Sequence, residues 1–282
     1  MVEWPLTFKC NNNCISCIMD SRITEKMGNP TFNQIKRYID MIPQSCDTIG
    51  FTGGEPTLRK EFFEILKYAR KTHPESLLFV VSNGRMFKYE WFVKKLVDLD
   101  LGNIRIGVAM YSHNPDIHDA ITRSKGSFND TYQGIKNLIK YKVRTELRII
   151  VNKLNYKIME DTAEFIAGNF RGIERVVFIN MKYTGNAFIN RDKIFVRYKE
   201  LVPYIQKAVD VLLKHGFDTR LFHFPLCTID KKYWDIAKGV TKQKYELCFL
   251  KVCEDCKMKD VCPMIWKTYV VLAGEDEFKP II

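Results

Sequence analysis

The stretch "FKCNNNCISCIMD", residues 8–20, sets Cys10, Cys14 and Cys17 in a C-x3-C-x2-C spacing directly after a short strand-like run, "VEWPLT". A strand that runs into a polar, ligand-bearing loop marks a βα unit, in which chemistry collects at the carboxyl ends of parallel strands. Outward from this loop the same pattern recurs: a β-branched or aromatic run, a Gly-containing loop, then apolar residues at helical spacing. It predicts strands over 2–8, 47–51, 77–81, 104–109, 145–151 and 175–179, and helices over 32–41, 60–72, 89–99, 128–141, 158–170 and 198–215. Six such units imply parallel strands with crossover helices outside. A closed eight-unit barrel takes about 250 residues, whereas these units end near residue 216. The expected fold is therefore α/β, an open, partial (β/α)6 TIM-like barrel. From 217 the pattern gives way to aromatic-rich sequence and "CFLKVCEDCKMKDVC", so the expected division is 1–216 and a small Cys-rich unit, 217–282.

The 282 residues are 46% hydrophobic, enough for one large core with an appendage. No stretch approaches ~18 uninterrupted apolar residues, and the first residues lack a basic segment followed by an apolar one. These features predict a cytoplasmic protein that does not span a membrane. In a reducing compartment its nine cysteines are metal ligands or core residues rather than disulfides. Cys46, apart from the rest, is most simply a small core residue. The formal charge of +11 keeps RNA open as a partner. The basic residues are nevertheless spread out, and in "RTELRIIVNK" and "KIFVRYKE" they alternate with apolar ones, as on solvated faces.

Three thiolates can hold three irons of a four-iron cluster and leave the fourth iron to an external ligand, whereas clusters that only transfer electrons usually have four Cys ligands. A zinc site completed from elsewhere is the competing reading. After the second predicted strand comes "FTGGEPTL", residues 51–58. There Gly53 and Gly54 permit close backbone approach to a ligand, Pro56 fixes the turn and Glu55 offers an anion to an ammonium. Taken alone, this is most often a surface turn.

Together, the cysteine loop and the Gly-Gly-Glu-Pro turn resemble the radical S-adenosylmethionine (radical SAM) superfamily. The resemblance implies a partial (β/α)6 barrel with a 4Fe-4S cluster on Cys10, Cys14 and Cys17. It further implies S-adenosylmethionine bound through the open iron, with the Gly53–Pro56 turn holding its amino group. One electron, originating from an external donor, would then cleave this cofactor to methionine and a 5′-deoxyadenosyl radical, which abstracts hydrogen from substrate. "VVSNG" makes Ser82 and Asn83 candidate cofactor contacts; "VAMYSHNPDIHDAITRSKGSF" adds Ser112 and Arg123, and "IIVNKLN" adds Asn155 or Asn152. Loop capping accounts for these polar residues equally well. His113, His118 and His223 read as hydrogen-bonded residues rather than metal ligands. One position departs from the family: Ser16 stands where an aromatic residue near the adenine is usual, so adenine contacts would come from Ile15 or elsewhere.

The second cysteine group, Cys253, Cys256 and Cys262 in "CEDCKMKDVCP", is similar to the auxiliary-cluster (SPASM/twitch) region of radical enzymes that act on peptides, which implies a second 4Fe-4S cluster. Structural zinc is the alternative. The fourth ligand is Cys227 or Cys248, and Cys227 is preferred because it gives the aromatic-rich segment a metal to anchor it. Nearly the whole chain resembles the maturases of the His-Xaa-Ser peptide system. That implies a radical enzyme modifying a ribosomally made peptide, with a paired radical enzyme or a leader-peptide-binding protein as partner, since Cys10 leaves no room before it for a recognition domain. A tRNA-modifying radical enzyme and a non-catalytic zinc or iron–sulfur protein are the alternatives.

Overall fold

The computed structural model describes residues 1–241 and 244–282. Its main sheet has seven strands: β1 (Val2–Thr7), β2 (Thr48–Gly53), β3 (Leu77–Ser82), β4 (Ile104–Ala109), β5 (Thr145–Val151), β6 (Arg175–Asn180) and β7 (Thr219–Phe222). They lie in chain order, and every neighbouring pair is parallel. With right-handed crossovers this order puts the helices on one face of a sheet that curls but stays open between β1 and β7. The alternation along each strand fits. In β5, Leu147, Ile149 and Val151 are buried on one face, while Glu146 and Arg148 pair with each other on the other, Arg148 lying 5.5 Å from the Phe79 ring. Burying each large aliphatic side chain under the helices contributes about 1.5–3 kcal/mol.

Among the elements that exceed the sequence expectation are a strand and a helix of the barrel. The seventh strand, paired from Val176↔Thr219 to Ile179↔Phe222, extends the sheet beyond the six expected units and lies past residue 216. Its four residues are too few to show a period. The helix Pro115–Thr122 precedes the expected helix of the fourth unit, observed as Ser127–Lys140. Its start was nevertheless encoded: Asn114 accepts hydrogen bonds from the N–H groups of Asp116 and Ile117, and Pro115 occupies the first turn.

The C-terminal segment contains a short antiparallel pair, Leu247–Cys248 with Ile265–Trp266, and the helix Lys267–Ala273. It is bonded to the strand-end face of the sheet. Trp266 Nε1 donates to the Asn180 carbonyl at the end of β6 (3.1 Å), and the Tyr269 hydroxyl accepts from the Tyr198 N–H at the start of the helix Tyr198–Lys214 (2.9 Å). Among the described residues no helix is long and apolar enough to cross a membrane.

Candidate active site

Four segments, remote from one another in sequence, shape the cysteine loop. From β2, the Gly54 N–H donates to the Thr7 carbonyl (2.7 Å) and the Glu55 N–H to the Lys9 carbonyl (2.8 Å). A Cβ on Gly53 would lie 2.2 Å from the Thr7 oxygen, and one on Gly54 2.3 Å from the Lys9 oxygen. The close approach these glycines permit is thus to the chain's own first strand and loop. From the helix Pro115–Thr122, the carbonyls of Thr122 and Ile121 accept from Asn13 (3.0 Å) and Ile15 (2.8 Å). After β3, Arg85 donates to the Asn11 carbonyl (2.5 Å) and to Asn12 Oδ1 (2.8 Å).

The fourth clamp follows β6. The N–H groups of Asn186 and Ala187 donate to the Met19 (3.1 Å) and Cys17 (2.9 Å) carbonyls. The Asn186 side chain donates to the Cys14 carbonyl (3.3 Å) and accepts from the Ser21 N–H (3.2 Å). Gly185 makes room for this contact at φ 56°, where a Cβ would lie 2.4 Å from the Met19 carbonyl carbon.

Cys10, Cys14 and Cys17 line a cavity of about 190 Å³ together with Gly53, Gly54, Ser82, Asn83, Tyr111 and Asn186. Burial pushes the Cys10 thiol up to about 11, with the Glu55 charge adding. Burial and the neighbouring Cys17 push Cys14 up to about 12, and burial raises Cys17 as well. Free thiols are therefore protonated at neutral pH, and a bound metal centre would displace those protons. Each sulfur has a hydrogen-bond donor: the Asn12 N–H to Cys10 (3.4 Å), the Met19 N–H to Cys17 (3.4 Å) and the Tyr111 hydroxyl to Cys14 (3.7 Å). Three sulfurs facing one cavity that also carries polar groups, each sulfur with a donor, fit a three-ligand iron–sulfur cluster with room for an external ligand.

Glu55 is held by contacts within the chain. It is fully buried, does not line the cavity, and accepts from the Thr57 N–H (3.1 Å), the Thr57 hydroxyl, the Ser82 hydroxyl (2.8 Å) and the Asn83 N–H (2.7 Å). Burial raises its pKa, against the pull of these hydrogen bonds. It thereby ties the turn, with Pro56 at its start, to the end of β3 and places Ser82 and Asn83 at the cavity wall. Asn83 donates from there to Asn11 Oδ1 (2.6 Å).

Ser112, Arg123 and Asn155 do not line the cavity. Ser112 is buried and accepts from the Asn114 N–H (2.9 Å). Asn155 donates to the carbonyls of Tyr111 (2.9 Å) and Ile150 (3.0 Å) and accepts from the Asn152 N–H (2.8 Å). Arg123 donates to Asn190 Oδ1 at the surface (2.7 Å). Two wall residues, Tyr111 and Asn186, were not assigned from sequence, because their contacts to the cysteine loop span 97 and 172 residues. Their only sequence signal was their place in strand-end loops. His118 is buried, accepts from the Tyr111 N–H (3.4 Å) and is pushed down to about 4 by burial. His113 bonds Thr162 (2.9 Å), and His223 stacks on Trp266 at 3.9 Å.

The second set differs in its surroundings. Cys227, Cys253, Cys256 and Cys262 line a smaller cavity walled by Pro225, Leu226, Phe249, Met258 and Ile265, with Lys279 and Ile281 also lining it. The Ile281 N–H donates to Cys256 Sγ (3.4 Å). Burial pushes Cys227 up to about 11 and raises Cys262. Cys248 stands outside the lining, its thiol directed at the Ile265 carbonyl (3.7 Å). Among the described residues no group of three or more His, Cys, Asp or Glu side chains is gathered closely enough to hold a single metal ion. Four soft sulfur ligands around an apolar cavity fit an iron–sulfur cluster.

An open parallel barrel with three thiols in the cavity at its strand ends is the architecture of enzymes that use a cluster with S-adenosylmethionine. The model of the radical SAM superfamily matches residues 4–166, more than half of the chain, and the chain belongs to that superfamily, whose members bind a 4Fe-4S cluster and S-adenosylmethionine. Among its relatives are the Fe-coproporphyrin III synthase of Methanosarcina barkeri (26% identical, covering 77% of this chain and 53% of the relative) and the antilisterial bacteriocin subtilosin biosynthesis protein AlbA of Bacillus subtilis (25%, covering 73% and 45%). The chain spans about half the length of these curated relatives. Its fold is similar to that of Streptococcus suis SuiB, solved bound to the precursor peptide SuiA (TM-score 0.62, 13% identical, covering 78% and 48%).

Proposed function

We propose that this radical SAM enzyme modifies a ribosomally made peptide or protein. The observation that carries the reading is the second, apolar cavity with its four cysteines, bonded to the strand-end face of the barrel. The bacteriocin biosynthesis protein and the peptide-bound structure among its likenesses support it. A porphyrin-related synthase among the relatives makes the substrate class the point to test.

In this reading Cys10, Cys14 and Cys17 hold the first 4Fe-4S cluster. Gly53, Gly54, Ser82 and Asn83 border S-adenosylmethionine, Glu55, Pro56, Ser112 and Asn155 support the loops behind it, and Arg123 would reach the cofactor's carboxylate only by leaving its contact with Asn190. Cys227, Cys253, Cys256 and Cys262 hold an auxiliary 4Fe-4S cluster within the unit 217–282. When bound, the first cluster supplies the electron that splits the sulfonium into methionine and a 5′-deoxyadenosyl radical. The chain's own contribution is placement: Asn186 and Gly185 hold the sulfur loop in register, and Val81, Ala109 and Tyr111 give the cavity an apolar side that limits water around a radical. A paired radical enzyme or a peptide-binding protein would present the substrate, and an external donor would supply the electron.

Anaerobic reconstitution tests the reading. Iron and sulfide near eight atoms each per chain, about two four-iron clusters, reductant-dependent 5′-deoxyadenosine and a mass change in a small peptide from a neighbouring reading frame are expected. Uptake of zinc alone without cleavage overturns the enzyme, and turnover with a porphyrin but no peptide overturns the substrate class.

A further inference from the structure

The hydrogen-bond donors to the three sulfurs of the first site are not alike. Cys17 takes its donor from a backbone N–H two residues along the same loop, and so does Cys10, which also meets the Asn83 amide at a longer 4.0 Å. The donor to Cys14 is a side chain, the hydroxyl of Tyr111, from the loop after β4. Tyr111 is fixed on several sides: its carbonyl accepts from Asn155 (2.9 Å), its N–H donates to His118 Nδ1 (3.4 Å), and its ring meets the His118 ring edge-on at 5.5 Å. The ring is buried and lines the cavity that the three cysteines share.

Ser16, two residues after Cys14, is buried beside Tyr111, and its Oγ has no hydrogen-bond partner in good geometry among the described residues.

We propose that Tyr111 is a positioning residue of the three-cysteine centre, its phenol donating to the Cys14 sulfur and setting the potential at which a cluster held there is reduced, with Ser16 as its buried neighbour. This rests on the cluster assignment made above. A hydrogen bond to a cluster thiolate favours the more negative, reduced state and raises its potential. The buried setting strengthens the bond relative to water. One electron enters from an external reductant; the phenol keeps its proton, and none of its bonds breaks.

The test is a potentiometric titration of the reconstituted protein without S-adenosylmethionine, followed by electron paramagnetic resonance of the reduced cluster. Tyr111→Phe keeps the ring and removes the donor. The expected result is wild-type iron and sulfide with a midpoint shifted to more negative potential, and a smaller shift in Ser16→Ala. An unmoved midpoint in Tyr111→Phe overturns the proposal, as does loss of iron, which would make Tyr111 a support of the loop instead. A wild-type protein that takes up no cluster overturns the cluster assignment as well, so the two failures are distinguishable.

Discussion

The two sulfur sites use one ligand chemistry inside different walls. At the barrel mouth three thiols face a cavity of about 190 Å³ with a mixed lining, glycine backbone, Ser82, Asn83 and Asn186 on one side and Val81, Ala109 and Tyr111 on the other. In the C-terminal segment four thiols face a much smaller cavity among Pro225, Leu226, Phe249, Met258 and Ile265. Polar groups in the wall and spare volume admit a second molecule beside a metal centre; a small apolar pocket closed by a fourth sulfur and residues Lys279 and Ile281 leaves no such room. What separates a reactive centre from a storage or relay centre is thus the wall as much as the ligand count.

The sharpest way to break this contrast is to remove one sulfur from each side. Cys14→Ala is expected to lower iron by about half and 5′-deoxyadenosine formation by at least ~1,000-fold, roughly 4 kcal/mol of transition-state stabilisation. Cys227→Ala is expected to lower iron by a similar share while leaving 5′-deoxyadenosine formation within about tenfold of wild type, with peptide modification lost. Cys248→Ala should leave the iron content unchanged. Equal loss of cofactor cleavage in the Cys14 and Cys227 variants would erase the distinction.

A smaller effect probes the clamp that only the first site has. Gly185→Ala places a methyl 2.4 Å from the Met19 backbone at a positive φ, an expected cost of about 4 kcal/mol in urea unfolding, and iron uptake should fail at the first site while the second still fills. Gly28→Ala, where an added Cβ meets nothing within 4 Å, should stay within about 1 kcal/mol of wild type. If the two variants are equally stable, the clamp does not hold the loop.

The smallest expected effect concerns acid. His118, behind Tyr111, is held near 4 by burial against an ordinary value of 6.5. As pH falls below 6.5 the unfolded chain takes up this proton and the folded chain does not, so stability declines until about pH 4, by about 3 kcal/mol in all. His118→Gln should flatten that part of the pH dependence in urea titrations at pH 7 and pH 4. An unchanged slope would show that His118 is not neutral in the folded state.

Six of the seven strands were legible in sequence, because βα units repeat a pattern of buried runs and amphipathic helices that local physics dictates. The seventh was not, since Thr219–Phe222 is too short to display a period and is fixed only by pairing with β6. In the site, the spacing of Cys10, Cys14 and Cys17 was legible because it is local. The glycine pair was legible as a close approach but not as an approach to Thr7 and Lys9, and Glu55 was legible as an anion but not as an anion already satisfied by Thr57, Ser82 and Asn83. Tyr111 and Asn186 were not assigned to the site, because their contacts to the cysteine loop are with partners far along the chain.

The Asn186 clasp also fixes an order of events in time. Asn186 bonds Ser21 across 165 residues, so at ~5–20 residues per second the cysteine loop leaves the ribosome roughly ten to thirty seconds before its clasp exists. Closing so long a loop is among the last and slowest contacts of folding. Thiols made long before their clasp are therefore among the last to be organised, and loading this centre becomes a checkpoint on completion of the barrel.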